Sequence, residues 1–322
     1  MMVPQAKWDL TYQGADIGAD AISLVYTDFD HGKSDEIEVT FEDKLHRWKG
    51  GWYPEHGDTL ALSIGWLGQG LLPCGTFEID EIDFSGAPDT VTLRGLAAPV
   101  TESLRTNKTR AFENKTLRQI AEQIAREHGL SVEGEIEDIS IRRVTQDNER
   151  DLAFMTRIAE EYHHVFAVRG EVLFFCKVED LESQAPVATI PRGEMKRFGF
   201  QDKVDEVYKD CKLSYHDPET KTLIEVTAED PNVNTGDTLR INARVENEEQ
   251  AKKRAEAELK RANAKKLRGR ILMSGDHRLV AGNVIAVAML AKLSGNYYVE
   301  TSRHRIERGA GYTTEIEVRR VP

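Results

Sequence analysis

Alternating apolar and polar positions recur along the chain and predict a protein built mainly from β-strands. Two stretches, Gly57 to Leu96 and Gly282 to Arg319, share one order of features. Each opens on Gly and a small polar residue, continues with an apolar run, turns at a second Gly (Gly75 or Gly295), and closes with two alternating strands around a Gly-rich turn. Because strand side chains alternate between the faces of a sheet, this order predicts one antiparallel unit used twice. A chance likeness of two β meanders is the alternative.

The first hundred residues predict a β domain over 1–100. The alternation predicts strands over 8–12, 21–29 and 36–41, with a charged turn at 30–34 between the last two. An aromatic loop then leads into the first copy of the repeat, and its candidate contact residues are Trp48, Trp52 and Tyr53. These rings fit either a carbohydrate platform or packing within the protein or a subunit interface.

A helical pattern follows. Thr116 and Gln119 have the spacing of a capping box, and Gly129 is placed to end the helix that begins there. The apolar residues of this stretch recur at helical spacing and predict one buried face. They are Leu117, Ile120, Ala121, Ile124 and Ala125.

A second helix is predicted after Asp147 and Asn148, either of which can cap it. Segments 165–169 and 172–178 then predict a hairpin around a Gly-Glu turn. Together these elements predict an α/β insert domain over 101–180. The predicted inner face of the second helix is Leu152, Met155, Ile158, Ala159 and Tyr162.

Strand patterns return in the last part of the chain, which predicts a second β domain over 181–322. A hairpin is expected from 207–215 and 222–228 around a turn at 216–218. A long helix over about 246–266 starts acidic and ends basic, which suits the helix dipole. Its small-residue stripe, Ala251, Ala255, Leu259 and Ala262, predicts that it covers a sheet.

Composition narrows the function classes. The chain has 322 residues and a net charge of −12, so stable nucleic-acid binding through a basic groove is not expected. No signal-peptide pattern opens the sequence, and the longest apolar run, Val284 to Ala291, is too short to span a bilayer. We therefore expect a protein that folds in a cytoplasm and has no membrane partner.

Candidate chemistry is sparse. The adjacent His163 and His164 are the most ligand-like pair, but no HExxH or CxxC motif accompanies them. Cys74, Cys176 and Cys211 have no metal spacing and predict buried free thiols. We therefore assign no catalytic, cofactor-binding or metal-binding residues and expect no cofactor.

An enzyme remains the rival function class. Glu78 and Asp80 are expected on one face of a single strand, and a glycosidase needs two carboxylates facing each other across a cleft. A peptidoglycan hydrolase and a carbohydrate-binding module are therefore the two alternatives to a structural protein.

Four segments taken in order carry a resemblance to a known family. The segments are Gly57-Asp-Thr-Leu with the strand that opens at Gly75; Thr116 to Ala125 with Gly129-Leu130; Gln146 to Ala159; and Gly275-Asp276 with Ala281-Gly282 and Tyr297 to His304. This order resembles the phage late control gene D proteins, which are baseplate hub proteins of contractile tails.

The resemblance implies a non-enzymatic homotrimer with two tube-type β domains in each chain, so that six surround a channel. It implies contacts with a tail tube or tube-initiator protein, a spike and baseplate wedge proteins, and assembly in the bacterial cytoplasm into a virion or particle baseplate. Because the sequence reaches Pro322 without a β-prism and has no lysozyme insert, we expect the spike to be a separate polypeptide. The first half also lacks a counterpart of the 246–266 helix.

Overall fold

The computed structural model describes residues 4–98, 106–203, 207–216, 221–233 and 236–321. Strands dominate these residues, most of them in one large antiparallel sheet, and four α-helices accompany them. This confirms the predicted mainly-β α+β fold class. None of the helices in the described ranges is both long and apolar enough to cross a bilayer.

The first β unit forms because apolar residues alternate along its strands. In the fourth strand, Ile37, Val39 and Phe41 are buried while the residues between them are not. The strands pair antiparallel in the order β3-β4-β7-β6-β5-β1, which confirms the three strands predicted before residue 42. Their bounds are β1 Ala6–Tyr12, β2 Ala15–Asp16, β3 Ala21–Phe29, β4 Glu36–Glu42, β5 Thr59–Trp66, β6 Leu71–Ser85 and β7 Thr90–Ala98.

The insert contains helices that pack on two small sheets around their own core. The capping box is confirmed: Gln119 N donates to Thr116 Oγ1 (3.3 Å), and Thr116 N donates to Gln119 Oε1 (3.0 Å). The hairpin around Gly170 is also confirmed. The elements are β8 Asn107–Thr116, α1 Leu117–Glu127, β9 Ser131–Glu133, β10 Ser140–Arg150, α2 Asp151–Glu161, β11 His164–Arg169, β12 Val172–Lys177 and α3 Val178–Glu182.

The predicted cap of the second helix is wrong. Strand β10 continues to Arg150, so α2 begins at Asp151 and has no side-chain cap. Asn148 lies in an irregularity of the β8–β10 pairing with φ of 46°, and its N–H donates to Thr109 Oγ1 (3.0 Å). Its backbone is therefore part of a strand, not of a helix start.

The second β unit is interrupted by a smaller layer. Strands β15 and β16 form the predicted hairpin, although residues 217 and 218 of its predicted turn lie outside the described residues. Helix α4 packs on these two strands through Ala251, Ala255 and Leu259, which confirms a covering helix. The bounds are β13 Thr189–Pro191, β14 Met195–Asp202, β15 Tyr208–His216, β16 Leu223–Glu229, β17 Asp237–Asn242, α4 Glu248–Asn263, β18 Leu267–Ser274, β19 Val284–Ala288, β20 Gly295–Glu307 and β21 Gly311–Arg320.

The repeated strand order is confirmed. Strands β5, β6 and β7 form one antiparallel meander and β19, β20 and β21 form the other. Strand β4 pairs with β7 and β3 with β4, just as β18 pairs with β21 and β14 with β18. The two units therefore share five strands in equivalent positions.

Irregularities in the strand pairing occur at equivalent positions of the two units, which favours a true repeat over a chance likeness. Strand β6 has a bulge at Asp80, five residues after Gly75, and β20 has one at Glu300, five residues after Gly295. Both glycines have positive φ. Bulges of this kind are specific features of a strand pair, so their coincidence supports one unit used twice.

The asymmetry between the units has a structural cause. In the first unit a short turn joins β3 to β4, whereas in the second unit the equivalent strands β14 and β18 are separated by β15, β16, β17 and α4. Among the described residues, helix α4, predicted over 246–266, has no counterpart between β3 and β4, because it belongs to this interruption.

The two units join edge to edge within the chain. Strand β3 pairs antiparallel with β20 over Thr301 to Glu307, which links both units into a thirteen-stranded sheet. Ile306 and Tyr312 of the second unit also belong to the core of the first. The predicted domain boundary at 100/101 lies in 99–105, outside the described residues.

Candidate functional site

One face of the joined sheet carries charged side chains at alternate positions of its strands, and we call it the ion-paired face. The strand registers place these side chains beside one another, while the cores lie on the opposite face. The acidic members are Glu36, Glu38, Glu42, Glu81, Asp83, Glu307, Glu315 and Glu317, and the basic members are Arg94, Arg197, Arg268, Arg270, Arg303 and Arg305.

Arg94 is the centre of this face in the first unit. Its guanidinium lies 2.9 Å from Glu38 Oε2, 2.8 Å from Glu81 Oε1 and 2.7 Å from Asp83 Oδ2. These groups are 39–56% exposed, and exposed pairs contribute only about 0–1 kcal/mol each. The arrangement therefore affects the surface field more than stability.

The second unit carries the same pair with reversed polarity. Glu38 of β4 is opposite Arg94 of β7, whereas Arg270 of β18 is opposite Glu317 of β21. Arg270 contacts Glu317 and also lies 3.6 Å from Glu315 Oε1. Both units therefore have an acid–base pair at this position, but the strand that carries the acid in one unit carries the base in the other.

A concavity of about 330 Å³ opens on the ion-paired face where β3, β4 and β7 meet. Its polar lining consists of Thr27, Glu36, Glu38, Asp80, Glu81, Arg94 and Arg303. Most of these charges are acidic, and Arg94 is already shared by three carboxylates. The lining therefore suits a passive, weakly acidic surface better than a phosphate-binding one.

The predicted carboxylate pair, Glu78 and Asp80, lies beside a bulge of its strand. The bulge at Asp80 breaks the regular alternation of β6, so Glu81 and Asp83 reach Arg94 in place of Asp80. Glu78 lies in the part of β6 that pairs with both β5 and β7. The register places Glu78 opposite Leu96, and Leu96 and Asp80 both line the concavity. The expected common face is therefore not contradicted, and a glycosidase pair at Glu78 and Asp80 stays a prediction.

The aromatic loop divides into a buried and an exposed part. Trp48 is 4% exposed and packs on Phe41, with ring centroids 4.7 Å apart. Trp52 and Tyr53 are 46% and 58% exposed, and Tyr53 stacks on Phe84 at 5.6 Å. Because one of the three rings is in the core, they do not form a continuous sugar platform.

The histidine pair has separate structural partners. His163 Nε2 lies 3.8 Å from Glu179, whereas His164 Nδ1 interacts with Tyr162 O at 2.7 Å. Burial lowers the pKa of both rings, that of His163 to about 4, so both are neutral near pH 7. Glu137 N donates to the other ring nitrogen of His164 (3.2 Å).

The cysteines are free thiols. Cys211 is buried, as expected, but Cys74 and Cys176 are only partly buried. The prediction of buried thiols is therefore correct for one of the three.

Sequence reasoning missed a cluster formed by Glu127, His128 and Asp151, whose ligand atoms lie within 4.8 Å of one another. Two cations already occupy it: Lys108 Nζ lies 2.5 Å and Arg110 Nη2 2.8 Å from the Asp151 carboxylate. Burial opposes ionisation of Asp151, but hydrogen bonds, led by that from Lys108, outweigh it and lower its pKa. The cluster is an ion-pair network that holds the start of α2.

A second buried network joins the insert to the first β unit. Arg169 Nη2 donates to Asp28 Oδ1 (2.9 Å), and Ala281 N donates to Asp28 Oδ2 (2.7 Å). The nearby Asp35 accepts from Tyr26 OH (3.3 Å). Burial, and to a smaller extent repulsion from Asp35, raises the pKa of Asp28 to about 7. Burial also raises the pKa of Asp35, and the Arg169 guanidinium opposes both shifts.

The chain is similar to a known protein family and to two phage proteins. The model of the YQBQ-like family matches residues 103–319. Over 185 residues, the chain is 30% identical to the probable baseplate hub protein of Escherichia phage P2 and 28% identical to that of Escherichia phage 186. Each alignment covers 56% of this chain and 47% of the relative, so the chain matches about half the length of these curated relatives.

A solved structure extends the likeness to nearly the whole chain. The 43 kDa tail protein of prophage MuSo2 from Shewanella oneidensis superposes with a TM-score of 0.77 over 98% of each chain, at 17% identity. This likeness concerns the fold, and the relatives' names confirm the resemblance to baseplate hub proteins. Because the family model matches more than half of its residues, the chain belongs to the YQBQ-like family.

Proposed function

We propose that this protein is a structural, non-enzymatic baseplate hub of a contractile tail or a related injection particle. The observation that carries the proposal is the edge-to-edge joint of two equivalent β units through β3 and β20. Two units joined in this way form a segment of a ring. The named hub relatives in phages P2 and 186 support the same role.

Three copies of the chain would close the ring. Cyclic symmetry then supplies the remaining rotations, and six similar units surround one axis. Such a ring meets a sixfold tail tube on one side and a threefold spike on the other, because the two units of a chain differ in their attachments. The proposed partners are therefore two further copies of the chain, a tube or tube-initiator protein, a separate spike protein and baseplate wedge proteins.

We place the domain boundaries at 1–100, 101–180 and 181–322. The separate cores of the first unit, the insert and the second unit support this division. The layer of β15, β16, β17 and α4 has a fourth core, and its position inside the β14–β18 connection makes it an attachment of the second unit. Both the insert and this layer would lie outside the channel, where they do not interrupt ring closure.

The ion-paired face would line the channel. Its arginines are largely matched by carboxylates, as Arg94 and Arg270 illustrate. A conduit for DNA or protein should not retain its cargo, and DNA affinity rises steeply with the number of unpaired basic contacts. The location is a tail baseplate, with assembly in the bacterial cytoplasm before particle completion.

Cryo-electron microscopy of the full chain with its tube and spike proteins tests the proposal. The expected particle contains three copies of this chain, with six β units around the axis and the ion-paired face turned inward. A monomer, a dimer or a true hexamer of this chain at that position would refute it. An outward-facing ion-paired surface would refute the channel assignment alone.

A further inference from the structure

Strand β20 shows how one unit joins the next. One of its edges pairs with β21 along most of its length. The other edge is shared: Gly295 to Tyr298 pair with β19, and Thr301 to Glu307 pair with β3 of the other unit. The change of partner occurs at the bulge at Glu300.

The equivalent strand β6 has only two of these three partners within the described ranges. Its first half pairs with β5 up to Glu78, and its other edge pairs with β7. In the described part of the chain, no strand pairs with the outer edge of Glu81 to Ser85. Strand β14, the equivalent of β3, ends the sheet and likewise has one free edge.

Pairing irregularities fix which residues correspond. Asp80 corresponds to Glu300 because each is the bulged residue of its strand. On the other side of the joint, Ile22 and Lys196 are the unpaired residues of β3 and β14, each one position after a paired Ala21 or Met195. The correspondence therefore rests on two independent landmarks.

We propose that the free edge of Glu81–Ser85 binds β14 of a second copy of this chain, antiparallel and in the register of the internal β3–β20 joint. This inference rests on the proposed ring, and it identifies the residues that close it. Arg303 is opposite Thr27 in the internal joint, so Asp83 comes opposite Gln201 of the partner subunit. By the same register Phe84 comes opposite Phe200 of the partner subunit.

The side chains of the two edges suit this register. In the internal joint His304 stacks on Tyr26, with ring centroids 5.9 Å apart, and burial lowers the pKa of His304 to about 4, so its ring is neutral. The corresponding pair between chains is Phe84 with Phe200. Cross-strand aromatic pairs of this kind stabilise a sheet.

Each of these phenylalanines already lies against a ring of its own chain and is only partly buried. Phe84 stacks on the exposed Tyr53 at 5.6 Å, and Phe200 packs on Tyr297 at 5.4 Å. The charges also match, because the register places the exposed Glu81 opposite the exposed Lys203 of the partner subunit. Pairing would cover both free edges, which otherwise invite aggregation.

A cross-linking experiment on the full chain tests the register. The double variant Asp83→Cys with Gln201→Cys is treated with a thiol cross-linker that has a two-carbon spacer, in the presence of the tube and spike partners. Because the seam joins two different edges, we expect covalent trimers from the double variant. A mixture of the two single variants should stop at covalent dimers, and neither single variant alone should cross-link above the unaltered chain with its native thiols.

The matched control is Asp83→Cys with Arg197→Cys, which lies on the same strand and face but four residues from the proposed position. It should give at least tenfold less cross-linked product. Three results would contradict the proposed register but not the proposed hub function. They are stronger cross-linking of the control, covalent dimers from Asp83→Cys alone, and a trimer seen by native mass spectrometry that forms no cross-links. Absence of any trimer with its partners would instead overturn the proposed function.

Discussion

A single guanidinium serves two buried carboxyl groups where the insert meets the first β unit. Arg169 faces Asp28 directly, and Asp35 lies close enough to raise the pKa of Asp28 further. Removing two carboxylates from water costs several kcal/mol each unless they are paired. Because only one cation is available to them, one proton is held by the pair near neutral pH.

This pair predicts a pH dependence of stability. The pKa of Asp28 is raised by burial to about 7. Its contribution to the free energy of unfolding is therefore fully present below about pH 4 and is lost as pH rises through 7. Asp35→Asn leaves Arg169 with one carboxylate. From pH 4.5 to pH 8, the free energy of unfolding of the variant should therefore rise by on the order of 2 kcal/mol relative to that of wild type. Urea unfolding at these two pH values measures the difference.

The exposed Asp9→Asn is the control, because its side chain is 58% exposed. It should follow wild type at both pH values. A parallel pH dependence for Asp35→Asn and wild type would show that the buried pair holds no proton.

At the scale of elements, β4 with β7 and β18 with β21 use the same cross-strand pair in opposite directions. Glu38 faces Arg94 in one, and Arg270 faces Glu317 in the other. Directly opposite residues on one sheet face interact, and like charges there are destabilising. The second unit thus demonstrates that the backbone accepts either polarity.

A charge swap tests this equivalence. Glu38→Arg alone should lower the free energy of unfolding by about 1 kcal/mol through repulsion from Arg94. Arg94→Glu alone places a fourth carboxylate beside Glu38, Glu81 and Asp83 and should cost a similar amount. The double variant Glu38→Arg with Arg94→Glu should recover at least half of the summed loss, measured by urea unfolding, and an additive loss would contradict the equivalence.

Element identities were largely predictable because they depend on local patterns. The capping box at Thr116 and the strand Glu36–Glu42 follow from spacing and alternation within a few residues. Strands β8 and β10 were missed because their apolar residues are few and irregularly spaced, so nothing local distinguishes them from loops. The cap at Asn148 failed because the strand pairing extends past it.

The site was less predictable, since it depends on register between distant strands. The acidic run from Glu78 to Asp83 was visible in the sequence, but Arg94 becomes its partner only through the β6–β7 pairing. A bulge at Asp80 then decides which carboxylates face it, and no residue type specifies that bulge. The β3–β20 joint likewise connects residues near opposite ends of the chain.

At the scale of the whole molecule, the proposed ring would join the ion-paired faces of three chains into a continuous wall. Each chain contributes the Arg94 group with its three carboxylates and the Arg270 group with two. In that ring, threefold repetition would multiply the field of any unpaired charge, because all copies would point toward the same axis. A wall that stays neutral or acidic therefore depends on pairing in every chain.

In its proposed trimeric form, the unaltered protein should bind duplex DNA weakly, without saturation at micromolar protein in about 150 mM salt, because few counterions are released by paired arginines. The triple variant Glu38→Gln, Glu81→Gln and Asp83→Asn frees Arg94 of its carboxylates in each copy and should bind DNA more tightly, with a steeper dependence on salt. Fluorescence anisotropy across a salt series measures both. A variant with Arg94→Gln added should lose the gain, and this assigns it to the guanidinium. Tight, salt-sensitive binding by the unaltered trimer would contradict a passive wall.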